Sequence, residues 1–199
     1  MHHITLFTML LFTALSTLPA AAAPPAESLA KEGSCPSGYY TSGNYCKPGS
    51  GARFAVSKVG SCPSGYYTSG AYCLASSQRS GHALPKTGSC PSGYYTSGDY
   101  CLKGQETSQN KGASSAGSPA ARAIAKTGSC PSGYYTSGNY CKPGSSAKYA
   151  LPKTGSCPSG YYTSGAYCLA GTNARLAVPK SGSCPSGTYS SGNYCLSSQ

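Results

Sequence analysis

Twelve cysteines form six pairs, and the members of every pair lie eleven positions apart: Cys35/Cys46, Cys62/Cys73, Cys90/Cys101, Cys130/Cys141, Cys157/Cys168 and Cys184/Cys195. Such spacing suits a local disulfide. Closing about 12 residues removes unfolded-chain entropy worth roughly 2.8 kcal/mol. Metal chemistry fits poorly, because structural zinc wants close Cys-x2-4-Cys pairs and four ligands per site. A redox dithiol would read Cys-x-x-Cys, which is absent. We therefore expect six intra-unit disulfides, no metal and no cofactor.

Tyrosine is the second chemistry-bearing residue, with 18 in the chain. Each cysteine pair lies in a repeated motif, Gly-Ser-Cys-Pro-Ser-Gly-Tyr-Tyr-Thr-Ser-Gly-x-Tyr-Cys. A turn centred on Ser42-Gly43 would set Tyr40 directly against Tyr45. The equivalent pairs are Tyr67/Tyr72, Tyr95/Tyr100, Tyr135/Tyr140, Tyr162/Tyr167 and Tyr189/Tyr194, and they are expected to be the aromatic core of each unit. The preceding tyrosine (Tyr39, Tyr66, Tyr94, Tyr134 or Tyr161) is replaced by Thr188 in the sixth copy. It is the candidate to face a ligand, since an exposed ring with a hydroxyl tip suits a sugar. Lys58, Lys86, Lys153 and Lys180, each just before a unit, are the candidate basic contacts.

Catalysis has little to work with. The chain has four acids, Glu27, Glu32, Asp99 and Glu106, and none recurs between copies. Beyond the first three residues there is a single histidine, His82. Serine is abundant but has no base at a recurring position. No enzyme is expected.

The elements that must hold these residues are small. First cysteines of successive copies are 27, 28, 40, 27 and 27 residues apart. Copies 1 and 4 share Cys-Lys-Pro-Gly-Ser and copies 2 and 5 share Gly-Ala-Tyr-Cys-Leu-Ala, so a three-unit block is duplicated at an offset of 94–95 residues. Residues 27–102 are the first triplet and 123–199 the second. Residues 103–122 are a Gly/Ser/Ala-rich joint, with an r.m.s. span of about 20–25 Å if flexible. Each unit is preceded by a short apolar run ending in Lys, such as Phe54-Ala55-Val56-Ser57-Lys58 or His82-Ala83-Leu84-Pro85-Lys86. The position two before Lys is always apolar; the position four before is variable. Proline there suits an edge strand.

Composition sets the remaining bounds. From Ala23 onward there are 13 Leu, Ile, Val and Phe in 177 residues. That excludes a Rossmann domain, a TIM barrel or a helical bundle, because conformational entropy of about 1–2 kcal/mol per residue would go unopposed. The expected fold is small, disulfide-rich and all-β: six tandem units of about 27 residues. Each is a three-stranded meander or hairpin stapled by one disulfide, in an elongated or beads-on-a-string array without a large hydrophobic core. Residues 1–22 read as a signal peptide, with an apolar run and small residues before the cut. The mature chain, with no further membrane-spanning run, would be secreted or periplasmic. The net charge of +11 points to an anionic polysaccharide or cell-envelope surface, or to self-association, as partner. Nucleic acid is not expected, for want of a binding motif and because of export. Two alternatives are a matrix protein crosslinked through Cys or Tyr, and a precursor of small cyclised peptides.

Overall fold

The computed structural model describes residues 25–78, 80–104 and 119–198. The signal peptide expected at 1–22 lies outside them, as do residues 105–118 of the expected joint. The described residues form eighteen short strands and no helix, in six three-stranded antiparallel sheets. Accordingly, no helix among them is long and apolar enough to cross a membrane.

The first unit shows the plan. Its strands are β1 (Leu29–Ala30), β2 (Tyr39–Ser42) and β3 (Tyr45–Pro48). All six disulfides join the two cysteines of one unit, as the spacing predicts: Cys35–Cys46, Cys62–Cys73, Cys90–Cys101, Cys130–Cys141, Cys157–Cys168 and Cys184–Cys195. The sheet order is β1-β3-β2, and all units share it. This corrects the expected meander, in which β2 would lie in the middle. The reason is burial. The third strand of units 2 and 5, Tyr-Cys-Leu-Ala, is buried at every position. A strand covered on both faces belongs in the centre, while the proline-bearing connector and the Tyr-Tyr-Thr-Ser strand tolerate an edge.

The register also differs by a step from expectation. Ser42 pairs with Tyr45, Thr41 with Cys46 and Tyr40 with Lys47. The turn is Gly43-Asn44, not Ser42-Gly43. Gly43 has φ +59°, and a two-residue turn that needs positive φ at its first central position takes Gly there. Tyr40 and Tyr45 thus do not oppose each other.

The array is neither elongated nor a string of beads. Each unit inserts the tyrosine that opens its third strand into the unit before it. The Tyr72 hydroxyl donates to Ala30 O at 2.7 Å and accepts from the Glu32 N–H at 2.7 Å. Tyr100 does the same with Ser57 and Val59, Tyr140 with Pro85 and Thr87, Tyr167 with Ala125 and Thr127, and Tyr194 with Pro152 and Thr154. Tyr45 of the first unit closes the circle, donating to Pro179 O and accepting from the Ser181 N–H of the sixth. A serine contact accompanies each seam: Ser37 N–H donates to Ser69 Oγ at 3.0 Å, and in the closing seam Ser186 N–H donates to Ser42 Oγ at 2.8 Å. The seam between the third and fourth units has the same bonds as the others.

The protein is a closed ring of six sheets. Radial repetition of this kind, used by β-propellers with four strands per blade, leaves only short, protected edges. An open array would need capping units; a ring does not. The core is spread over the seams. Tyr45, Tyr72, Tyr100, Tyr140, Tyr167 and Tyr194 are 0–1% exposed. Each lies against the second cysteine of the preceding unit, at 3.5–3.7 Å from hydroxyl to sulfur. Tyr72 meets Cys46, Tyr100 meets Cys73, Tyr140 meets Cys101, Tyr167 meets Cys141, Tyr194 meets Cys168 and Tyr45 meets Cys195. The disulfides therefore do more than staple single units: their inner sulfurs form part of the packing between units.

Candidate functional site

The cysteines themselves offer no surface chemistry. Cys46, Cys73, Cys101, Cys141, Cys168 and Cys195 are 0–1% exposed, because each sits on the central strand of its sheet and is covered by the next unit's tyrosine. Their partners Cys35, Cys62, Cys90, Cys130, Cys157 and Cys184 precede the second strand and are half-buried. These twelve are structural residues of the core, and a ligand must be met by other side chains.

Two sets of such side chains stand out: one on the surface and one on the axis. The surface set is the second tyrosine of each motif. Tyr40, Tyr67, Tyr95, Tyr135, Tyr162 and Tyr189 are 37–49% exposed, among the few large apolar groups left at the surface. They were expected in the core; only their presumed partners, from Tyr45 to Tyr194, are there. The first tyrosines turn inward instead. Tyr39 and Tyr66 are buried and Tyr94, Tyr134 and Tyr161 half-buried. Tyr39, Tyr66, Tyr134 and Tyr161 donate to backbone carbonyls of the next connector, at Arg53, Gly81, Lys148 and Arg175. Tyr94 bonds His82 Nδ1 at 3.3 Å. Burial pushes the Tyr39, Tyr66, Tyr134 and Tyr161 hydroxyls well above the usual phenol value. The placement of the two neighbouring tyrosines is thus the reverse of the sequence expectation. Of the basic candidates, Lys58, Lys86, Lys153 and Lys180 are all exposed, and Lys180 Nζ donates to Ser190 Oγ at 2.9 Å.

Among the described residues a cation lies over the exposed ring in five units, 5.5–5.9 Å from its centroid. It arrives by two routes. In units 1 and 4 it is the cross-strand neighbour, Lys47 over Tyr40 and Lys142 over Tyr135. In units 2, 5 and 6 that neighbour is Leu74, Leu169 or Leu196. The cation then comes from the connector: Arg53 over Tyr67, Lys148 over Tyr162 and Arg175 over Tyr189. Unit 3 has Leu102 and Gly81 at these two positions. The motif alone hides this set, because one spatial role is filled from two sequence positions.

The axial set is the variable position four before each Lys: Glu27, Phe54, His82, Arg122, Tyr149 and Leu176. The first and fourth units stand opposite each other in a ring of six, yet Glu27 and Arg122 form a two-pronged ion pair at 2.5 and 2.6 Å. It therefore crosses the axis. Arg122 also lies over the Tyr149 ring at 5.4 Å, and Phe54 meets His82 at 5.2 Å between centroids. Burial alone would lower the Arg122 pKa, but Tyr149 and Glu27 outweigh it and hold the guanidinium above its ordinary value. The variability of this position was the one sequence signal of its place.

Burial, with Arg122 and Lys103 nearby, lowers the His82 pKa to about 3. The native state then holds His82 neutral, while the unfolded chain protonates it near pH 6.5. Stability is expected to fall as pH drops from about 6.5 toward 3, by about 3 kcal/mol at pH 4. Urea midpoints between pH 7 and 4 test this. His82→Leu, which copies Leu176, should flatten the profile; an unchanged slope would remove His82 as the cause.

Among the described residues no three His, Cys, Asp or Glu side chains cluster as metal ligands. Comparison with protein-family models, curated proteins and solved structures finds no match. What the chain offers chemically is a disulfide-stapled repeat ring with a plugged axis and a set of cation-backed aromatic rings.

Proposed function

We propose that this is an exported, non-enzymatic binding protein that attaches to an anionic polysaccharide of a cell envelope through its exposed tyrosines. The observation that carries this reading is the cation held over the ring in five units by two different routes. An aromatic face stacks on the apolar face of a sugar ring, and the adjacent Lys or Arg pairs with a carboxylate, sulfate or phosphate on the chain. One such contact is weak. Several on one ring act together at high effective concentration and raise avidity by about 10²–10⁴. Export is supported by the six disulfides, which persist in oxidising compartments.

The alternatives have less support. All twelve cysteines are paired within the chain, so crosslinking through Cys lacks a thiol. Release of single units as peptides would break seams in which each unit buries a tyrosine in its neighbour.

The test is retention of the oxidised protein on immobilised polyuronate and sulfated polysaccharide, with neutral polysaccharide as control. Combined Tyr40→Ala, Tyr67→Ala, Tyr135→Ala and Tyr162→Ala is expected to weaken binding at least about 100-fold without opening the ring. Undiminished binding by this variant, or no binding by the wild type, would overturn the proposal.

A further inference from the structure

The two seams that join the triplets share their tyrosine and serine bonds, and in both a lysine of the following unit reaches the same serine, by its hydroxyl in one and its carbonyl in the other. Between the third and fourth units, Tyr140 bonds Pro85 O and the Thr87 N–H, Ser92 N–H donates to Ser137 Oγ, and Lys142 Nζ donates to Ser92 Oγ at 3.1 Å. Between the sixth and first, Tyr45 bonds Pro179 O and the Ser181 N–H, Ser186 N–H donates to Ser42 Oγ, and Lys47 Nζ donates to Ser186 O at 2.5 Å. Each triplet is therefore half a ring, with ends that fit either the other triplet of its own chain or one from another chain. No disulfide crosses a seam, so half-rings can part with every S–S bond intact.

The axis distinguishes the halves. Glu27 and Arg122 are 95 residues apart, the offset of the duplication, and so occupy the same position in the two triplets with opposite charge. A ring of two first triplets would bring Glu27 to face Glu27; one of two second triplets would bring Arg122 to face Arg122. At a partly buried axis either is unfavourable.

We propose that the ends of each half-ring are an interaction surface for the complementary half-ring of a second copy of this chain. Two chains then exchange halves into a dimer of two closed rings. The Glu27–Arg122 pair is the selector that joins a first half to a second half. Within one chain the tether favours the single ring; at high concentration the exchanged dimer forms and presents two chains' tyrosines on one particle. Exchange of halves does not depend on what the exposed tyrosines bind.

The test uses E27R and R122E in the full chain. Each alone sets like charges across the axis. Unfolded together in urea without reductant and refolded, they are expected to form a species of twice the monomer mass with one chain of each kind, read by native mass spectrometry. Either refolded alone should give none, and the double reversal in one chain should return the monomer. Monomers only, aggregates only, or no more dimer than the separate variants yield would overturn the proposal. Wild-type chains, light and isotope-labelled, provide a second test that does not depend on variant folding. Refolded together at rising concentration they should give mixed dimers, and their absence throughout would equally overturn it.

Discussion

Tyr72→Ala is expected to destabilise the ring by about 3–5 kcal/mol, the range for emptying a fully packed aromatic site. Tyr72 is 0% exposed and ties the second unit to the first. Its hydroxyl both donates to Ala30 O and accepts from the Glu32 N–H. Tyr72→Phe keeps the ring and removes those bonds, and should cost about 1–3 kcal/mol because two backbone groups lose their partner. Tyr40→Ala, by contrast, removes an exposed ring and one cation contact, and should stay within about 1 kcal/mol. Urea unfolding with the disulfides intact separates the three. Equal losses for Tyr72→Phe and Tyr40→Ala would show that the seam hydroxyl does not hold the ring. Because a closed ring shares its seams, the same ranking is expected at Tyr167, which bonds Ala125 and Thr127.

Breaking the axial pair should have the next largest effect. Arg122→Leu leaves the Glu27 carboxylate without its cation, with the Glu27 side chain 11% exposed. Glu27→Leu strands the guanidinium, which is 25% exposed. Each is expected to cost about 2–4 kcal/mol, slightly below the range for fully buried pairs because solvent reaches Arg122. The double substitution should recover most of the loss. Phe54 and Leu176 already fill the same position in other units, so the axis accepts apolar groups, and replacing both charges removes the desolvation penalty as well as the attraction. A double-mutant cycle measures the coupling. Additive losses would mean that Glu27 and Arg122 do not depend on each other.

Alkaline behaviour follows from the inward tyrosines. Burial raises the Tyr39, Tyr66, Tyr134 and Tyr161 pKa values, so the unfolded chain loses these protons first. Stability therefore declines above about pH 10, where free phenols ionise.

Much of the unit was legible in the sequence. The Cys-x10-Cys spacing predicts the local disulfides, because no other partner recurs at a fixed distance in all six copies. It does not reveal that Cys73, Cys101, Cys141, Cys168, Cys195 and Cys46 are the buried members of their pairs, since that follows from the tyrosine of the next unit. The shortage of Leu, Ile, Val and Phe excludes a single large core, and the core is tyrosine, cysteine, leucine and alanine with one phenylalanine, Phe54. The connectors read as short extended segments, and all six are edge strands. The strand order was less accessible, because both edges are short and the difference rests on which strand is covered on both faces. The register turned on a single residue: Gly43 at the first or second place of the turn.

The amino-acid sequence by itself determined the repeat, the staple, the all-β character and the duplication of a triplet. These are local properties, set by spacing and backbone preference within some 27 residues. Only the tertiary structure decided which tyrosine is core and which is surface. Tyr39 and Tyr40 are chemically identical neighbours, and their fates depend on what the adjoining unit covers. Ring closure was likewise a tertiary matter. It depends on the angle between successive sheets, a rotation of one sixth of a circle repeated until the sixth unit meets the first, and no residue type encodes that angle alone. The axis follows from closure. Six positions that look merely variable along the chain converge there, and a glutamate and an arginine 95 residues apart become partners.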